Sequence, residues 1–293
     1  MKKLVLSQRS DTPHWVGDGF PVRSMFNYNE HAQIFSPFLL MDYGGPAEFP
    51  ATDQTRGVGE HPHRGFETVT IVYAGEVEHR DSAGGGGLIR PGGVQWMTAG
   101  SGLVHEEMHG KEYAKKGGTF EMVQLWVNLP RKDKMTKPRY QGITNEQIPV
   151  VDLGAGAGFV RVIAGAFRDV AGPAKTFSPV NLWDIRLTGK ETVKLEVPHG
   201  HTASIFVLSG QVTLASDETL GPAEICVLER EGTEFTLTST GEAKVLFLGG
   251  EVIPDPVVGY GPFVMNSGGE IKRAMLDYQN GLMGSIEPIT DGA

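Results

Sequence analysis

The 293-residue chain has a single cysteine, Cys226. An intrachain disulfide is therefore excluded, and so are the thiolate-rich closed zinc sites that need several cysteines. Cys226 lies in the strand-like run Ala223 to Leu228 and reads as a small core residue. Basic charge is also short: 26 Lys and Arg stand against 35 Asp and Glu, a net charge of −9. An acidic surface repels phosphate backbones, which argues against direct nucleic-acid binding. The notable basic cluster, Arg131, Lys132, Lys134, Lys137 and Arg139, reads as a solvated linker. No apolar run approaches the length of a membrane span, and Leu4–Leu6 is too short for the core of a signal peptide. A cytoplasmic location with a reducing environment is the expectation, with no membrane partner.

Long helical patterns are scarce as well. The 40 glycines and 18 prolines make up roughly a fifth of the chain, against an average of about 12%. Both residues break helices, so bundles and coiled coils are excluded. With 40% hydrophobic residues the chain is not disordered. Short strands are expected at Thr68–Tyr73, Phe120–Leu129, Phe159–Ala164, Ser204–Leu208, Phe235–Thr238 and Lys244–Leu248. Trp183, Ile185 and Leu187 alternate with Asp184 and Arg186, and Val193, Leu195 and Val197 alternate with Lys194 and Glu196. Across the Thr188–Lys190 turn this predicts a hairpin with one buried face. One short helix is expected near the C-terminus, capped by Ser267 and Glu270, with Ile271, Ala274, Met275 and Tyr278 on one face.

The order of features repeats. His61-Pro62-His63 precedes a strand and Gly75, and His199-Gly200-His201 precedes a strand and Gly210. An offset of 130 then brings Pro91–Gly93 over Gly221–Ala223 and Gly102 over Gly232. This predicts two related all-β domains, residues 1–140 and 141–293, joined near Pro130–Pro149.

The motifs that carry chemistry lie in the first repeat. His61 and His63 are two apart, as are His105 and Glu107. Residues i and i+2 of a strand share a face, so two strands can offer three imidazoles and one carboxylate to one ion. That set suits Fe, Mn, Ni, Cu or Zn. The same offset puts Phe235 opposite His105 and Leu237 opposite Glu107, which predicts an apolar interior and no metal in the second domain. His199 and His201 then read as a polar strand entry near a turn. Glu67, four after His63, shares the inward face of a regular strand and is the competing carboxylate. Gln95 is placed near the cavity and Trp96 in the core. His14, His31, His79 and His109 have no partner motif and read as ordinary surface or loop residues.

The strings His61 to Thr70, Pro91 to Gly100, His105 to Met108 and Asp255 to Asn266 resemble the pirin family of the cupin superfamily. The resemblance implies a bicupin, two face-to-face antiparallel β-barrels of jelly-roll type. It implies a metal site in the N-terminal barrel only, on His61, His63, His105 and Glu107, with Fe(II) the usual ion. Glu67 is then outside the ligand set, either behind it or facing solvent. The resemblance also implies activity like that of quercetin 2,3-dioxygenases, with a flavonol and O₂ as substrates and Glu107 as the candidate base. The alternative it leaves is an iron- or redox-sensing regulatory protein that acts through a protein partner.

Overall fold

A computed structural model describes residues 1–287; the last six residues of the expected second domain lie outside the described residues. The chain is mostly strand and forms two compact units. Among the described residues, one holds 13–23, 42–145 and 255–287; the other holds 1–12, 24–41 and 146–254. A single cut near residue 140 therefore does not separate them. The strand Leu4–Arg9 pairs with Glu224–Leu228, deep in the C-terminal half of the sequence. The segment after Asp255 returns to the first unit, where Val264 N donates to Arg64 O.

The two units repeat one architecture. In the first, a seven-stranded sheet runs in the order 139–143, 94–98, 66–74, 118–128, 38–49, 20–27, 14–16, and a four-stranded sheet in the order 57–63, 103–109, 77–81, 86–89. In the second, the seven-stranded order is 4–9, 224–228, 202–209, 243–250, 180–187, 158–164, 150–152, and the four-stranded order is 192–196, 234–239, 212–214, 219–220. Strands 103–109 and 234–239 hold the same place in their sheets, as the sequence offset requires.

The expected hairpin does not form. Val180–Leu187 pairs with Gly158–Ala164 and Ala243–Gly250, whereas Thr192–Glu196 pairs with Glu234–Ser239 in the other sheet. The Thr188 turn carries the chain from one sheet to the other, and amphipathic alternation alone cannot report that. Asp184 is also buried rather than solvent-facing, held by Arg161 at 2.6 Å and Arg186 at 2.8 Å. On the opposite face of that strand, Trp183 stacks on Phe247 with centroids 4.5 Å apart, and Phe235 stacks on Phe247 at 5.3 Å. Phe235, Leu237 and Cys226 all belong to this apolar core.

The capped C-terminal helix is Gly268–Gln279, with Ser267 Oγ accepting from the Glu270 amide. Two further helices, Tyr28–Phe35 and Lys111–Lys116, lacked the long apolar stripe that marks a helix in sequence.

Candidate metal centre

The strand Leu103–His109 lies between Gly57–His63 and Val77–Asp81. Its register sets His105 directly opposite His61 on one side and Asp81 on the other. A bulge lets Glu107 pair with Val58, so that Gly59 and Glu60 are left out of the ladder. His61 Nδ1 bonds the freed Gly59 carbonyl at 2.8 Å. Just after His63 the chain turns sharply at Gly65, where φ is +90°. A Cβ there would sit 2.0 Å from Val264 O, so only glycine fits.

The three histidines meet. Ring centroids are 4.2 Å apart for His61–His105, 4.8 Å for His63–His105 and 4.9 Å for His61–His63. One nitrogen from each lies within 4.8 Å of the others. His63 Nδ1 lies 3.2 Å from the Pro262 carbonyl. A carbonyl only accepts, so His61 and His63 carry the proton on Nδ1 and present a lone pair on Nε2. Burial first, then the neighbouring His61, pushes His63 down to about 3. Burial and the surrounding rings put His105 well below its ordinary value too. Both are therefore neutral at physiological pH, the state that can ligate. The Nε2 of His105 is buried with no hydrogen-bond partner. A buried orphaned nitrogen among imidazoles is costly unless something occupies the space they share. This donor set fits a first-row divalent metal.

Glu107 is buried beside His105, and its carboxylate groups with His105 and His79. It accepts from Thr70 Oγ1 at 3.0 Å, from Gln95 Nε2 at 3.0 Å and from Gln124 Nε2 at 3.0 Å. Gln95 was placed near the cavity by sequence; Thr70 and Gln124 were not singled out. Thr70 pairs with both Gln95 and Gln124, so the three share one face, a placement set by strand pairing and not by any local signal. Beside the imidazoles lies a cavity of about 20 Å³ lined by His61, Glu107, Gln124, Phe20, Val58 and Met122. That is room for about one water.

Glu67 does not face this cavity. The turn at Gly65 breaks the strand, so the count from His63 does not carry over, and Glu67 lies on the face opposite Thr70. Nor is it solvent-facing: it is 1% exposed, accepts from Thr98 Oγ1 at 2.7 Å and lies 3.9 Å from Arg139. Burial pushes its carboxyl up to about 7 against those favourable partners. A raised acid pKa means that the folded chain binds the extra proton. The stability this confers is present at low pH and is lost as pH rises from about 4.5 through 7. Replacing Glu67 by Gln removes the penalty. The stability difference should move in favour of the variant by about 3 kcal/mol between those limits. Urea midpoints of both proteins at pH 5 and pH 8 check this; a constant difference refutes it.

Two histidines read as surface residues are core. His109 is buried, with Nε2 donating to Gly19 O at 2.8 Å and its ring stacked on Phe120. His79 is fully buried against His105, with Nδ1 to Nδ1 at 3.3 Å, and Asp81 lies 3.2 Å from its other nitrogen. The missed signal was parity: His79 and Asp81 are two apart on a strand, as are the other site pairs. Lys134 is likewise buried, not part of a solvated linker. His199 and His201 fall in the turn before Thr202–Ser209, as expected, and neither joins a donor cluster among the described residues.

The family profile described as Pirin matches residues 19–127, and that of the Pirin C-terminal cupin domain matches residues 182–284. The chain belongs to the pirin family. A Pseudomonas aeruginosa protein named "Putative quercetin 2,3-dioxygenase" is 52% identical over 96% of this chain and 98% of its own. A tomato pirin-like protein is 38% identical over 92% of this chain and 88% of its own. The crystal structure of a quercetin 2,3-dioxygenase from Acinetobacter baumannii, 50% identical, superposes with a TM-score of 0.95 over 98% of this chain and all of that one. The fold of this pirin is thus a bicupin.

Proposed function

We propose that this pirin is a metal-dependent dioxygenase that cleaves a flavonol with O₂. The reading holds one divalent metal, Fe(II) foremost, on His61, His63, His105 and Glu107. The observation that carries it is the convergence of three imidazoles on one space, with the buried Nε2 of His105 left without a hydrogen-bond partner. The names of its relatives supply the substrate class.

When bound, the metal supplies Lewis acidity that lowers the pKa of a flavonol hydroxyl and redox contact with O₂. The chain's own residues do the rest. Glu107, held in place by Thr70, Gln95 and Gln124, is the candidate base for the hydroxyl proton. Phe20, Val58 and Met122 give the cavity apolar walls that exclude bulk water. A flavonol is far larger than the present cavity. Its entry therefore requires the cavity to widen.

The test is anaerobic reconstitution with Fe, Mn, Ni or Cu, followed by O₂ uptake with quercetin. Uptake must exceed that of a Glu107→Ala control with at least one metal. If no metal achieves this, the dioxygenase reading is wrong.

A further inference from the structure

Carbonyl partners fix the proton of His61 and His63 on Nδ1, but the partner of His105 is another imidazole. Either nitrogen of the 3.3 Å contact between His105 Nδ1 and His79 Nδ1 could be the donor. The next residue outward decides. Asp81 Oδ1 accepts the amides of Ala83 at 2.8 Å and Gly85 at 2.9 Å, and Asp81 Oδ2 lies 3.2 Å from His79 Nε2. An ionised carboxylate only accepts. A neutral His79 ring then carries its one proton on Nε2 and offers Nδ1 as an acceptor. His105 must donate from Nδ1, and its lone pair falls on Nε2, the atom with no other partner. Tyr140 stacks on His79 with centroids 5.0 Å apart and planes at 15°, which holds the ring in register.

We propose that Asp81 and His79 form a positioning relay that locks His105 in its metal-ligating tautomer. Neither residue touches substrate in this role; both act through His105. The arrangement extends by one ring the carboxylate–histidine–metal pattern in which an outer partner fixes tautomer and raises ligand basicity. Its purpose rests on the metal reading above, but the tautomer itself does not.

Two measurements on the full chain test it. In the metal-free protein, imidazole ¹⁵N shifts should show His105 protonated on Nδ1 and bare on Nε2. In Asp81→Asn the side-chain oxygen keeps the turn amides, and the NH₂ faces His79. Donor and acceptor roles then reverse down the chain and drive the proton of His105 onto Nε2, as a triad carboxylate-to-amide change yields the wrong tautomer. Nickel(II) affinity, read by chelator competition, should fall about 10- to 100-fold with circular dichroism unchanged. In a His79→Ala background, Asp81→Asn should have no further effect, because the link is already cut. The relay is overturned by a wild-type His105 protonated on Nε2, by unchanged shifts in Asp81→Asn, or by additive losses in the double variant. If the wild type binds none of Fe(II), Mn(II), Ni(II) or Cu(II), the metal reading fails, and the tautomer of the metal-free chain still decides the relay.

Discussion

His105→Ala is expected to lower metal affinity by more than about 100-fold, since losing a ligand should exceed the cost of losing an outer partner. His105 sits at the centre of the site: its ring lies within 5 Å of His61 and of His63, and its strand also carries Glu107. His61 and His63 alone offer two donors, one of them half-exposed, and water competes well with such a pair. His201→Ala should leave affinity unchanged, because His201 stands in a turn outside both donor clusters. Chelator competition, with metal content of protein purified without a metal-affinity tag, checks both. Stoichiometric tight binding by His105→Ala would show that the ligand set is wrong. Glu107→Ala is a less clean probe, because it strands the Thr70, Gln95 and Gln124 donors in a buried space.

Lys134→Met is expected to cost about 3 kcal/mol of stability, because three buried acceptors lose their donor while the desolvation of the amine is relieved, and to weaken metal binding as well. The ammonium is 1% exposed and donates to Gly65 O at 2.8 Å, Asn128 Oδ1 at 2.8 Å and Val264 O at 2.9 Å. Methionine fills similar volume but leaves three buried acceptors unsatisfied. The same bonds tie together two segments that matter to His63. Gly65 lies two residues after it, and Val264 lies two residues after Pro262, whose carbonyl orients its ring. Denaturant midpoints and metal affinity should therefore fall together. A stable variant with weakened affinity, or the reverse, would contradict this coupling.

The neighbours of Lys134 in sequence hide its burial. It sits among Arg131, Lys132, Lys137 and Arg139, and composition averages over such a run. Only the fold brings Val264 O, 130 residues away, to one member of it. His79 differs: its parity with Asp81 is in the sequence, but only the pairing of their strand with Leu103–His109 brings it to His105. His61, His63 and His105 were legible because each pair within the site keeps strand parity, which local sequence does record. Glu67 marks where parity stops, since one left-handed glycine at position 65 resets the face of every residue after it.

By itself the sequence determined the all-β class, the doubled architecture, the three imidazoles and the apolar interior of the second unit. These follow from local periodicity, glycine and proline usage and residue chemistry, all of which act over a few neighbours. Only the tertiary structure decided which strands pair and which terminus completes which unit. It also decided which polar groups are buried, and which nitrogen of each histidine is free. Those properties depend on hydrogen bonds between segments far apart in the chain, and a proton on one imidazole is placed by whatever acceptor the fold sets beside it.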